Sequence, residues 1–217
     1  RDRNPAFSDI YTVNQLGGSK KLLLKNEGKT KSWLMGPDLE AYYRQDQIDD
    51  NHDKILRKDG NKWQVVFEVE QDDSFQMIEL DPDKAGFIAL SARGRDKLAL
   101  VHVDGTSGKE QVLLENDTVE IRSLINFDAY DGVIDAAFVD HDVEEIVPVS
   151  AKGQVLSDMI KSLGEPSDVN ILGTADQGKF VTIAISVQEK SWQYYLFDLV
   201  QKTQTKLGEY SFRKHKD

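Results

Sequence analysis

Short apolar runs, many of them alternating with polar residues, recur along the whole chain and are separated by turns holding Asp, Asn or Gly. Alternation with a period of two puts one side of each run on a buried face, so the chain is expected to consist mainly of strands. Four segments follow one plan of apolar run, Asp-bearing turn and second apolar run. They are Ser32-Trp33-Leu34-Met35-Gly36-Pro37-Asp38 into Leu39-Glu40-Ala41-Tyr42-Tyr43, Ile78-Glu79-Leu80-Asp81-Pro82-Asp83 into Gly86-Phe87-Ile88-Ala89-Leu90, Leu124-Ile125-Asn126-Phe127 through Asp131-Gly132 into Val133-Ile134-Asp135-Ala136-Ala137-Phe138-Val139, and Val169-Asn170-Ile171-Leu172 through Asp176-Gln177-Gly178 into Phe180-Val181-Thr182-Ile183-Ala184-Ile185. The marker aspartates stand 45, 48 and 45 residues apart.

A second pattern has the same period. An apolar strand ends in Asn or Asp and a leucine follows nine residues later, at Asn14 and Leu23, Asp104 and Leu113, and Asp198 and Leu207. Asn14 and Asp104 are 90 residues apart and Asp104 and Asp198 are 94 apart, two periods each. Units of ~40–50 residues with about four short strands each are the signature of β-propeller blades. The expected fold is therefore all-β, a partial propeller of about four and a half four-stranded blades. A blade remnant is expected over 8–26 and blades over about 31–70, 75–116, 119–150 and 168–212. One stretch breaks the strand pattern. Val155, Leu156, Met159, Ile160 and Leu163 recur with the period of a helix, and Gly164 and Pro166 close it, so a short inserted helix is predicted over about 153–164, its apolar stripe packed on the sheets.

Composition narrows the chemistry. The 217 residues include 27 basic and 38 acidic side chains, a net charge of −11, and no cysteine. Without cysteine there is no disulfide framework, thiol nucleophile or Cys-based metal site. The acidic surplus, spread along the chain, disfavours nucleic acid and anionic membranes as partners. No apolar run approaches the ~20 residues of a membrane span, and Arg1-Asp2-Arg3-Asn4-Pro5 has neither an initiator Met nor a signal-peptide pattern, as in a trimmed chain.

Several candidate sites have simpler explanations. Gly173-Thr174-Ala175-Asp176-Gln177-Gly178-Lys179 approximates a phosphate-binding loop, but Phe180 follows where Ser or Thr is needed, and the repeat already makes it a hairpin. His52, His102, His141 and His215 are scattered without zinc-site spacing, and no cofactor is expected. The acidic clusters Asp46/Asp49/Asp50/Asp53 and Asp140/Asp142/Glu144/Glu145 lack the ligand spacing of an EF-hand and are expected to be solvated loops, with weak calcium binding as the alternative. Trp33, Trp63 and Trp192 are expected to fill space between packed blades, an exposed aromatic platform being secondary. Tyr42 and Tyr43 place one ring on each face of a strand, so at least one is expected in the core.

The helix, the closing hairpin Trp192-Gln193-Tyr194-Tyr195-Leu196-Phe197-Asp198-Leu199 and the opening Asp9-Ile10-Tyr11-Thr12-Val13-Asn14 together resemble the N-terminal propeller of prolyl oligopeptidase family serine peptidases, in particular bacterial dipeptidyl aminopeptidase/acylaminoacyl-peptidase-like enzymes. The resemblance spans nearly the whole chain and is clearest over 120–210. It implies a propeller that caps an α/β-hydrolase domain of the same parent chain and limits entry to small peptides, the Ser-Asp-His triad lying in the hydrolase. A bacterial periplasmic or secreted setting is expected over a cytoplasmic one. The Gly-x-Ser-x-Gly nucleophile elbow is missing here; Gly105-Thr106-Ser107-Gly108 reads as a turn between strands. The chain is accordingly expected to be non-catalytic, with blades missing before Arg1. Some dipeptidyl peptidases of this superfamily hold the substrate amine with paired propeller glutamates, so the resemblance implies Glu144 and Glu145 as candidate amine contacts; their flanks here read as a strand. An incomplete ring leaves blade faces uncovered, so a homodimer, or a compact rearrangement that covers those faces, is expected. The alternative is a stand-alone propeller scaffold for a protein partner. A propeller lactonase or sialidase would need clustered metal ligands or an Arg triad with Asp-box repeats, and the sequence has neither.

Overall fold

The structure, a computed structural model, describes residues 7–211 apart from 15, 71, 117, 129–130, 141–143, 165 and 188–190. Among the described residues, seventeen strands form five antiparallel sheets, and there is one helix. The first holds β1 (Ile10–Val13) and β2 (Lys20–Leu24). The second is the meander β3 (Thr30–Met35), β4 (Ala41–Gln47), β5 (His52–Asp59) and β6 (Lys62–Glu70). The third is β7 (Phe75–Leu80), β8 (Gly86–Ser91), β9 (Ala99–Asp104) and β10 (Glu110–Leu114). The fourth has three strands, β11 (Ile121–Ile125), β12 (Ala136–Asp140) and β13 (Glu144–Pro148). Helix α1 (Ala151–Ser162) follows in the chain position that a fourth strand takes elsewhere, and β14 (Pro166–Ala175), β15 (Phe180–Val187), β16 (Ser191–Asp198) and β17 (Thr203–Ser211) close the series.

Every marker residue of the repeat proves to be a turn former. Asp38, Asp83 and Asp131 lie between the first and second strands of their sheets, and each carboxylate accepts the backbone N–H two residues on, from Glu40, Ala85 and Val133. Such Asx turns let a short side chain replace a missing ladder partner. Asp176 holds the fourth hairpin differently, with Gln177, in the left-handed region at φ 51° and 52°. Asn14, Asp104 and Asp198 cap the last hairpins of their sheets in the same way, accepting from Leu16, Thr106 and Val200. The corresponding turn between β5 and β6 is shorter, built on Gly60 at φ 56°.

The chain divides into two compact units, residues 1–94 with 102–110 and residues 95–101 with 111–217. In the first, Tyr43 of β4 is fully buried with its ring 4.7 Å from that of Phe87 on β8, and Phe67 of β6 meets Phe75 of β7 edge to face at 5.3 Å. Tyr42, its neighbour, is half-buried and bonds Asp38, so the pair does split between two environments. A Cβ on Gly105 would overlap the Tyr43 hydroxyl and the Ala85 carbonyl, which is why the β9–β10 turn needs glycine at this point.

In the second unit a continuous core joins Ile125, Phe127, Phe138 and Ile146 of the fourth sheet and its hairpin to Val169, Val181, Ile183, Ile185, Tyr195 and Phe197 of the fifth, with Leu156, Met159 and Ile160 of α1 packed in. Burial of this apolar area supplies the main driving force, at roughly 25 cal/mol per Å². The helix start is tied to the sheet by Asp135, which is 1% exposed. Its carboxylate accepts from the Phe127 N–H at 2.9 Å and the Ser150 hydroxyl at 2.6 Å. Ser150 is the N-cap of α1 and accepts from the Gly153 N–H at 3.0 Å, while the Asp135 carbonyl accepts from Val149 and Ser150 N–H. A Cβ on Gly153 would overlap that carbonyl.

Candidate functional site

The first acidic cluster is not a solvated loop, contrary to the sequence-based expectation. Asp46 lies within β4 and is only 3% exposed; its carboxylate accepts from the Thr30 hydroxyl at 2.7 Å and pairs with Arg44 at 2.9 Å. Asp53 lies in β5, pairs with Lys31 and accepts from the Gln45 amide at 2.7 Å. Only Asp49 and Asp50 remain in the turn; Asp46 is in register with Lys54 and Asp53 with Gln47, so the two strand carboxylates stand on opposite faces. Asp49 accepts from the Asn51 N–H and meets His52 Nδ1 at 2.9 Å. That partner raises the His52 pKa above its ordinary 6.5, and the Asn51 N–H and His52 together lower that of Asp49.

The second cluster lies at the β12–β13 hairpin. Asp140 and Glu144 pair in register, and Glu145, in β13, is exposed. His141, Asp142 and His215 lie outside the described residues, as do the side chains of Asp140 and Glu144. Among the described residues, no group of three His, Cys, Asp or Glu could hold a metal ion, and no helix is long and apolar enough to cross a membrane.

The remaining sequence candidates have structural roles. His102 Nε2 lies 2.7 Å from the Asp81 carboxylate, beside Gly86. Ser107 donates its hydroxyl to Asp104 at 2.7 Å inside the β9–β10 turn, and its own N–H is the main reason the Asp104 pKa falls. Residues 173–179 form the β14–β15 hairpin, flanked by strands on both sides, with Lys179 Nζ over the Phe180 ring. Trp33 and Trp63 meet edge to face at 6.0 Å across their own sheet, with the Arg44 guanidinium 4.5 Å from the Trp63 ring. Lys84 Nζ bonds both Asp38 and the Tyr42 hydroxyl, tying the β3–β4 turn to the β7–β8 turn. Lys84 is the chief cause of the strongly lowered Asp38 pKa, and Asp38 of the raised Lys84 pKa. Burial pushes the Tyr43 phenol up to about 12.

A cavity that no motif marks lies in the second unit. It is an open cleft of about 330 Å³ between β11 and β14, lined by Arg122, Ser123, Leu124, Ile125 and Asn126, by Phe138, and by Val169, Asn170 and Ile171. β11 and β14 are each the terminal strand of their sheet. Ser123 stands in register with Phe138 on the neighbouring strand, and both line the cleft. Of these, Ile125, Phe138 and Val169 are buried, whereas Arg122, Ser123 and Asn170 are exposed.

No family model matches the chain. Dipeptidyl aminopeptidase BIII of Pseudoxanthomonas mexicana is 26% identical over 209 residues, 95% of this chain and 30% of the relative. The chain thus spans about 30% of the length of the curated relative it matches. Among solved structures, a prolyl endopeptidase superposes with a TM-score of 0.59 over 98% of this chain and 32% of its own, at 12% identity. A puromycin hydrolase does so with a TM-score of 0.52 over 94% and 32%, also at 12% identity. The chain is a homologue of dipeptidyl aminopeptidase BIII, and its blade-like sheets have the partial β-propeller fold of the propeller region of prolyl oligopeptidase-type peptidases.

Proposed function

We propose that this chain is the non-catalytic propeller region of a prolyl oligopeptidase-like serine peptidase and that it gates peptide access to an α/β-hydrolase domain of the same parent chain. The observation that carries this reading is the match over 95% of the chain to 30% of a dipeptidyl aminopeptidase. It is supported by the structural role of Ser107, whose hydroxyl is committed to a turn aspartate. A serine nucleophile instead needs a histidine base and a strand-to-helix elbow.

Two measurements test it. The 217-residue chain, incubated with peptide p-nitroanilides, gives no turnover sensitive to a serine-directed phosphonate; turnover abolished by the phosphonate overturns the non-catalytic assignment. The parent reading frame continues into a Gly-x-Ser-x-Gly elbow followed by Asp and His, and the longer protein cleaves short peptides but not a long unfolded protein. Cleavage of both at similar rates removes the gating role, and a frame without the triad favours a stand-alone scaffold. In the longer enzyme Glu144 and Glu145 are proposed contacts for the substrate amine; a Glu145→Ala variant that keeps the preference for free over blocked N-termini eliminates them. Self-association through uncovered sheet faces predicts a dimer in sedimentation, and a monomer counts against it.

A further inference from the structure

We propose that Asp59-Gly60, at the β5–β6 turn, is a site of spontaneous covalent modification at which the aspartate rearranges to isoaspartate. This goes beyond the peptidase reading and holds whether or not that reading stands. The chemistry is intramolecular. The Gly60 backbone nitrogen attacks Cγ of the protonated Asp59 side chain, and the new C–N bond closes a five-membered succinimide. The Cγ–OH bond breaks, and that hydroxyl leaves as water with the N–H proton. Water then opens the ring at either carbonyl. Opening at Cγ restores aspartate, whereas opening at the main-chain carbonyl leaves isoaspartate, whose chain runs through Cβ with no net change in composition.

Ring closure needs an amide nitrogen free of other bonds, a carboxyl group that can protonate and turn, and room for the ring. Asp59 and Gly60 meet all of these. Both are exposed, and among the described residues the Gly60 N–H donates to no acceptor. A Cβ placed on Gly60 would meet nothing within 4 Å, and the bare glycine, at φ 56°, leaves its nitrogen unshielded. The Asp59 carboxylate accepts one side-chain bond, from the exposed Gln64 amide at 2.6 Å. In the ladder Asp59 belongs only to the last pair, with Lys62, and such ends open at little cost.

The two other Asp-Gly steps of the chain, 104–105 and 131–132, provide internal comparisons. The Asp104 carboxylate accepts from the Ser107 N–H, the Ser107 hydroxyl and the Thr106 N–H, bonds that favour its ionised form and lower its pKa. The Gly105 N–H donates to the Ala85 carbonyl at 3.0 Å, and a Cβ on Gly105 would overlap the Tyr43 hydroxyl, so the ring has no room. Asp131 is intermediate: its carboxylate accepts from the Val133 N–H at 2.9 Å and its own N–H donates to the Asp128 carbonyl. Each bond that must open first slows ring closure by about two- to tenfold. With three bonds on its carboxylate and one on its glycine N–H, Asp104-Gly105 is expected to react at least about tenfold more slowly than Asp59-Gly60.

The test incubates the folded 217-residue chain for weeks at neutral pH in H₂¹⁸O and digests it for mass spectrometry. Every succinimide that reopens takes up one ¹⁸O atom, and electron-transfer fragmentation, with methylation by an isoaspartyl methyltransferase, locates the isoaspartate. Label and isoaspartate are expected to accumulate first at residue 59, next at 131, and at least about tenfold more slowly at 104. In urea the three steps are expected to react at similar rates, because the bonds that separate them are gone. Gln64→Ala is expected to speed the reaction at residue 59 by about two- to tenfold, and an unchanged rate overturns the part given to that bond. No label at residue 59 of the folded chain, or label at 104 or 131 appearing as fast, overturns the proposal. The same order persisting in urea overturns it too, since neighbouring sequence rather than structure then sets the rates. The comparison of the three steps within the unaltered chain decides the question whether or not the variant folds.

Discussion

Replacing Asp135 with alanine probes the joint on which the fourth sheet, its hairpin and α1 depend. The carboxylate is 1% exposed and accepts two hydrogen bonds, from Phe127 N–H at 2.9 Å and Ser150 Oγ at 2.6 Å. Bonds to a charged acceptor contribute about 1.5–3 kcal/mol each. Removing the carboxylate also relieves several kcal/mol of desolvation cost, so the sum of the two bonds is a ceiling. What persists is an unpaired buried N–H at Phe127, worth about 1–3 kcal/mol, and a Ser150 cap no longer oriented toward Gly153, worth about 1 kcal/mol. The expected loss is about 3 kcal/mol for Asp135→Ala and about 1–2 kcal/mol for Asp135→Asn, which keeps one acceptor oxygen. Ser150→Ala is expected to cost about 1–2 kcal/mol, and the double variant less than the sum because the groups form one chain of bonds. Urea unfolding followed through Trp192, on β16 of the same unit, in a Trp33→Phe, Trp63→Phe background measures these differences. An Asp135→Ala variant within about 0.5 kcal/mol of its parent, or strict additivity with Ser150→Ala, refutes the reasoning.

Gly153, the Asp38–Lys84 pair and His52 each carry a further expected outcome. Gly153→Ala, which in an open helix gains about 1 kcal/mol, is expected instead to lose about 2 kcal/mol in the same assay, because the new Cβ overlaps a carbonyl held by Val149 and Ser150 N–H. The Asp38 clasp predicts an acid-sensitive contribution to stability: with the folded pKa lowered, it is complete above the ordinary 3.8 and lost as pH falls through the folded value. The raised Lys84 pKa makes its share complete below 10.5 and lost at higher pH, and thermal melts of Asp38→Asn against the parent should show the acid-side difference disappear. His52 should titrate above 6.5 by NMR and return toward it in Asp49→Asn; its stabilisation is complete below 6.5 and lost as pH rises through the folded value.

The repeat was legible because its markers act locally. Asp38, Asp83, Asp131, Asn14, Asp104 and Asp198 each bond the backbone within a few residues, so the residue type and the turn it makes travel together. The β5–β6 turn escaped the second pattern because its short Gly60 turn brings Lys62, rather than a leucine, to the start of the next strand. Helix α1 was found through its apolar period, but its start at Ala151 depends on Ser150 reaching a carboxylate fifteen residues away, so the pattern alone placed it two residues late.

Asp46 shows where local reading fails. Arg44-Gln45-Asp46-Gln47 has the composition of a loop, yet Thr30 from the preceding strand and Arg44 satisfy the buried carboxylate within β4. The cleft was likewise invisible, since its lining comes from 122–126, 138 and 169–171, segments far apart in the chain. The sequence by itself determined the strands, their period, the turns and hence the propeller class, because each depends on contacts a few residues long. Only the tertiary structure decided which carboxylates are buried and which strand edges flank a cavity, because those depend on partners that chain spacing does not encode.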